Sequence, residues 1–162
     1  MEEIKNKYFE LVISVKDELE RFAVFLTRNR DTAKELVSAS IVSGFDTYKN
    51  LKNQDAFKYF LFRICSREYY KIKKRNRKYG ELNEEELMSF YSDTNPDELY
   101  DIGLLYNAID KLKKIDKEIL VLGELMGYKY AEISAIFGIS EANVKVKIFR
   151  SKQKIKEFLR DK

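Results

Sequence analysis

YAEISAIFGISEANVKVKIFRSKQKIKEFL, residues 130–159, reads as a helix, a glycine-containing turn and a second, basic helix. That is the layout of a helix-turn-helix, whose second helix enters a DNA major groove. Gly138 falls where the first helix must stop, because a residue without a Cβ takes left-handed backbone angles without a clash. Ser140 stands where its hydroxyl can accept from the unpaired N–H groups that open the next helix. Val144, Ile148, Ile155 and Leu159 return at helical spacing, with small Ser151 between them, and predict a buried seam. The outer side carries Lys145, Val146, Phe149, Arg150 and Gln153, flanked by Lys147 and Lys152. The plainer alternative is a packed helical hairpin with a solvated basic face. Turn, cap, seam and outer charge agree, and their agreement favours a DNA reader.

Composition narrows the remaining choices. The chain has 162 residues, of which 44% are apolar, so one ordinary domain or two small ones can be built around a core. Tyr and Phe contribute 11 residues each, while one proline and six glycines leave long helices possible. The absence of histidine, with a single cysteine, removes most zinc sites, histidine general bases and any internal disulfide framework. Cys65 sits in an apolar stretch and is read as a core residue. The charged N-terminus lacks the apolar centre of a signal peptide, and no apolar run approaches membrane-spanning length. The expectation is a cytoplasmic protein without cofactor or metal, with no membrane insertion and no small-molecule substrate.

Upstream of the helix-turn-helix the pattern is helical throughout. Ile4, Tyr8, Leu11, Val15, Leu19, Phe22 and Leu26 step by three or four along one long amphipathic helix. Asn29, Arg30 and Asp31 interrupt it, and Asp31 is placed to cap a second helix lined by Ala33, Leu36, Val37, Ile41 and Phe45. After a polar connection from Tyr48 to Asp55, a third helix runs from about Gln54 to Lys74 with Phe57, Leu61, Ile64 and Cys65 inward. Six of the eight residues from Lys71 to Lys78 are basic, and none is from Tyr79 to Asp110. The stretch 79–97, which holds Pro96, reads as an acidic linker. Beyond it Ile102, Leu105, Ile109 and Leu112 form a helical face. Asp116 is placed to cap a short helix through Ile119, Leu122 and Leu125, which ends near Gly127. The fold class expected is all-α, with helical domains at 1–78 and 98–162.

This order resembles a small sigma factor of the sigma-70 family, of the extracytoplasmic-function type. The resemblance rests most on YAEISAIFGISEANVKVKIFRSKQKI, which is similar to the family's fourth region, and on LYNAIDKLKKIDKEILVLGELMG before it. AKELVSASI, residues 33–41, is similar to the second-region helix that docks on polymerase. AFKYFLFRICSREYYKIKKRNRK, residues 56–78, is similar to the helix that engages the melted downstream element. What the resemblance implies is a non-enzymatic protein with core RNA polymerase and promoter DNA as partners, an anti-sigma factor as a further one, and DNA-templated transcription initiation as its role. It implies upstream-element contacts from Asn143, Lys145, Val146, Lys147, Phe149 and Arg150. Downstream single-strand contacts would come from Arg63, Arg67, Lys71, Lys73 and Lys74, beside Phe57, Tyr59, Phe60, Tyr69 and Tyr70. Polymerase contacts would come from Glu35, Leu36 and Ser38. The acidic linker would thread a basic polymerase channel by mimicking phosphate charge.

Several positions depart from the family pattern. Ser38 and Ala39 follow Leu36–Val37 where a glutamine and an acid are usual. Arg67 and Lys71 stand where amide or acid side chains capture bases, which trades base-specific hydrogen bonds for phosphate attraction. Val146 replaces a usual serine and can meet a thymine methyl. Two other readings stay open: a helix-turn-helix regulator that binds an operator, and a sigma-like interaction module that no longer opens promoters.

Overall fold

The structure, a computed structural model, describes residues 1–49, 51, 56–75 and 96–161. All regular structure among them is helical: α1 (Glu2–Thr27), α2 (Arg30–Tyr48), α3 (Phe57–Arg75), α4 (Pro96–Asp110), α5 (Lys114–Leu120), a π segment (Val121–Leu125), α6 (Tyr130–Phe137) and α7 (Glu141–Arg160). The chain divides into two compact units. One is built on α1–α3; the other on α4, α5, the π segment, the first five residues of α6, and α7. None of the described helices is long and apolar enough to cross a membrane.

In the first unit α1, α2 and α3 pack on one another pairwise. The buried stripe of α1 is Tyr8, Val12, Val15, Leu19, Phe22, Ala23 and Leu26. Val12 takes the place expected of Leu11, and Ile4 at 41% exposure lies off the core. The helix stops because Arg28 adopts a left-handed backbone, φ 53°, and its N–H donates to the Val24 carbonyl. The cap of α2 is Asn29, whose Oδ1 accepts from the Thr32 N–H at 2.9 Å. Asp31 therefore does not cap; it lies inside the first turn, where a carboxylate still favours the helix dipole. α3 begins at Phe57, and Gln54 lies outside the described residues.

Aromatic rings fill one end of this core. Tyr8 meets Phe45, Tyr48 and Phe57 at centroid distances of 5.2, 5.1 and 5.7 Å. Its hydroxyl donates to the Ile41 carbonyl at 2.5 Å. Burial, and secondarily Asp46, pushes the phenol up to about 12. Gly44 makes this close approach possible, since a Cβ there would lie 2.6 Å from the Tyr8 hydroxyl. Cys65 is fully buried.

The second unit opens at Pro96, the first residue of α4. The proline thus starts a helix, where its fixed φ is already suitable and its missing N–H is no loss, and is not part of a linker reaching Asp97. The remainder of the acidic segment, residues 79–95, lies outside the described residues. α7 packs against α4 and α5. Tyr106, Ile109, Leu112, Ile119, Leu122, Ile133, Val144, Ile148 and Ile155 are buried. At its start α5 is flanked by Lys113 in extended conformation, with no side-chain cap, so Asp116 is a first-turn residue and not the cap. The expected helix through Leu125 widens after Leu120 into the five-residue π segment. Within it Gly123 lets α7 come close: a Cβ would lie 2.9 Å from Ile148 Cδ1. Lys117 is buried and pairs with Asp110 at 2.7 Å, tying α5 to the end of α4.

Candidate nucleic-acid interface

The turn between α6 and α7 is made as its residues require. Gly138 ends α6 with φ 67°, and its N–H donates to the Ser134 carbonyl at 2.9 Å. The Ser134 hydroxyl donates to the Ile139 carbonyl, which holds the chain as it leaves the turn. Ser140 caps α7, its Oγ accepting from the Asn143 N–H at 3.1 Å. At the start of α6 the Glu132 carboxylate accepts from the Lys129 N–H at 3.2 Å. Both ends of the turn are therefore fixed by satisfied backbone groups.

α7 buries Val144, Ile148, Ser151 and Ile155. Leu159, expected to extend this seam, is 38% exposed. Its neighbour Phe158 turns in instead, with Lys111 Nζ 5.0 Å from the ring centroid. The opposite side leaves Asn143, Lys145, Val146, Phe149, Arg150 and Gln153 exposed. Phe149 at 63% and Val146 at 42% are exposed apolar groups one turn apart, with cations on both sides. Cations supply phosphate affinity without sequence information, while apolar groups and fork-shaped donors on the outer face can meet base edges.

Lys147 stands apart from this group. It is half-buried, and its Nζ lies 3.4 Å from an Asp116 carboxylate oxygen on α5. Lys152 is likewise paired, 2.9 Å from Glu124 in the π segment. Neither pairing is readable from the sequence. Asp116 and Glu124 are eight positions apart near the turn of a short helix, and only the packing of α7 reveals their partners.

The cations expected on α3 are exposed: Arg63, Arg67, Lys71, Lys73 and Lys74. At about 100° per residue, Arg63, Arg67, Lys71 and Lys74 share one face with Tyr59, Phe60 and Tyr70. Those three aromatics are half-exposed, whereas Phe57 and Tyr69 are buried in the first core and offer no stacking surface. Lys71 is paired with Glu68 at 3.2 Å, and Lys73 Nζ lies 5.7 Å from the Tyr69 ring centroid.

On α2, Glu35 and Ser38 are exposed, but Leu36 is fully buried. Leu36 shares the inward stripe with Ala33 and Val37, so it supports the helix and cannot touch a partner from there. The Glu35 carboxylate accepts from the Arg75 guanidinium at the end of α3.

Residues 102–155 match the family Sigma-70, region 4. In sequence the chain is similar to the ECF RNA polymerase sigma factor SigE of Mycolicibacterium smegmatis, 27% identical over 159 residues, covering 93% of this chain and 60% of that relative. It is also similar to the RNA polymerase sigma factor SigV of Bacillus subtilis, 25% identical over 136 residues, covering 84% of this chain and 81% of the relative. In fold it is similar to the sigma factor RpoE of Bartonella quintana, solved with the anti-sigma factor NepR. That likeness has a TM-score of 0.65 at 22% identity and covers 95% of this chain and 97% of that one.

Proposed function

We propose that this chain is a sigma factor of the sigma-70 family, of the extracytoplasmic-function (ECF) branch, which directs core RNA polymerase to particular promoters and starts transcription there. The chain itself catalyses nothing; its work is recognition. One observation carries the reading: inside the segment that matches region 4, a turn fixed by Gly138 and Ser140 presents α7 with Asn143, Lys145, Val146, Phe149 and Arg150 facing outward. In a major groove that side meets base edges, while the buried seam holds the helix to its own unit.

The first unit, assigned to residues 1–78, would hold polymerase through Glu35 and Ser38 and the opened strand through α3. Its mixed face of Tyr59, Phe60 and Tyr70 among Arg63, Arg67, Lys71 and Lys74 suits stacked bases and a phosphate backbone. Residues 98–162 would read the upstream element as duplex. A protein inhibitor of the anti-sigma kind is a further expected partner, and the place of action is the cytoplasm, where polymerase works.

Transcription from fragmented genomic DNA, with core polymerase and this purified chain, tests the reading. Mapped start sites should appear only when the chain is added and should share an upstream motif at fixed spacing. Tight duplex binding as a dimer, with no association with core polymerase, would instead make the chain an operator-binding regulator.

A further inference from the structure

Lys147 and Lys152 lie five residues apart on α7, so they project about 140° apart around the helix. The buried residues Val144, Ile148, Ser151 and Ile155 fall between them. One lysine therefore stands on each flank of the seam. Each reaches back to a carboxylate on the element beneath: Lys147 to Asp116 on α5 and Lys152 to Glu124 in the π segment. The Lys147 pair is mostly shielded, with side-chain exposures of 27% and 15%, so its attraction is screened less than that of a surface pair. The apolar seam already opposes a large roll of α7, which would uncover the stripe, but within that range a small roll is opposed only by packing. Ion pairs on the two flanks add a directional restraint, the Lys147 pair more than the Lys152 pair, whose side chains are 51% and 38% exposed.

We propose that Asp116 and Glu124, through Lys147 and Lys152, fix the roll of α7 and so decide which outward side chains meet the bases. This rests on the reading of α7 as the helix that reads duplex DNA. Lys147 is then a positioning residue, not a phosphate ligand. Its charge is already partly offset within the unit by Asp116, so a phosphate gains less there than at a cation with no carboxylate beside it. The residues left to neutralise phosphate on α7 are Lys145, Arg150, Lys154, Lys156 and Arg160, all exposed.

The test uses the full chain in complex with core RNA polymerase and two duplexes: one enriched by the wild-type complex from a randomised pool, and a scrambled duplex of the same composition. Asp116→Asn and Lys147→Gln should each lower the ratio of specific to non-specific affinity about tenfold, the size of one misaligned base contact, and Glu124→Gln, at the more exposed pair, should lower it less. Asp116→Asn with Lys147→Gln should lose no more than either alone, because both remove the same pair. Lys147→Arg, which keeps the pair and the fold, should restore the ratio. Lys147→Gln should leave the slope of log affinity against log salt unchanged. A slope reduced by about 0.9, with Asp116→Asn tightening both duplexes, would make Lys147 a phosphate ligand and overturn the inference. A ratio unmoved by the acid-neutralising variants would overturn it equally. A wild-type complex that enriches no duplex at all would remove the DNA-reading premise as well.

Discussion

α3 and α7 are alike in composition and opposite in use. Both are long, basic and interrupted by aromatic residues. α3 turns its bulkiest rings inward: Phe57 is 2% exposed, Phe62 1% and Tyr69 6%, while α7 leaves Phe149 at 63%. Interleaving of cations and aromatics thus states only that a helix is amphipathic; burial decides which rings build a core and which remain for a ligand. In α3 the first task dominates, with Tyr59, Phe60 and Tyr70 left half-exposed. In α7 the core is built by Val144, Ile148 and Ile155, and the ring is free of it.

The largest expected effect separates these two kinds of ring. Phe57→Ala should destabilise the chain by about 3–5 kcal/mol, because it empties a packed site beside Tyr8 and Tyr48. Phe149→Ala should move stability by less than about 0.5 kcal/mol. Urea denaturation of the two variants measures the contrast; similar losses would erase it. Phe149→Ala combined with Arg150→Ala should nevertheless change promoter choice, at about 1–3 kcal/mol per lost specific contact. Competition between the wild-type motif and single-base variants reads this directly. Uniform weakening on all sequences would show that the pair touches only backbone.

Much of α7 is legible in the sequence, because its signals are local. Gly138 and Ser140 act within a few residues, and a seam at helical spacing names its own face. Other features depend on what lies opposite in space. Asn29 and Asp31 are both cap-forming types two positions apart, and only the point where Arg28 turns left-handed selects Asn29. Leu36 looked available to a partner because the expected docking motif contains it, yet the inward stripe of α2 claims it. The π segment carries no compositional mark that separates it from ordinary helix. Asp116 had the chemistry of a cap, and its actual partner, Lys147, lies 31 residues away.

A smaller effect probes how tightly the α3 side is packed. Gly44→Ala would place a methyl 2.6 Å from the Tyr8 hydroxyl and 3.3 Å from Leu61 Cδ1, and should destabilise by about 1–2 kcal/mol after its gain in helix propensity. In a Tyr8→Phe background the same substitution should be milder, since the obstructing oxygen is gone. Tyr8 also predicts an alkaline response. Its folded value, about 12, lies above the ordinary 10.0, so the folded state holds the proton more firmly. That stabilisation is complete below about 10 and is lost as pH rises through about 12. Stability of wild type should fall more steeply than that of Tyr8→Phe across this window; parallel curves would assign the fall to other groups.

The smallest effect compares the two helices as binders of phosphate. Lys73→Gln with Lys74→Gln should weaken single-stranded DNA binding on every sequence alike, and should lower the salt slope by about 0.7 for each phosphate contact removed. Lys145→Gln should lower the slope on duplex by about 0.9 while sparing the single strand. The two changes must not cross over if α3 and α7 serve different forms of DNA. Lys73 adds a finer condition, because its amine lies near the Tyr69 ring, a partner whose weak attraction leaves the ammonium its full charge. The double variant should therefore lose more slope than Lys74→Gln alone. Equal slopes would mean that Lys73 stays with the ring when DNA is present, and that the phosphate path on α3 runs along Arg63, Arg67, Lys71 and Lys74 only.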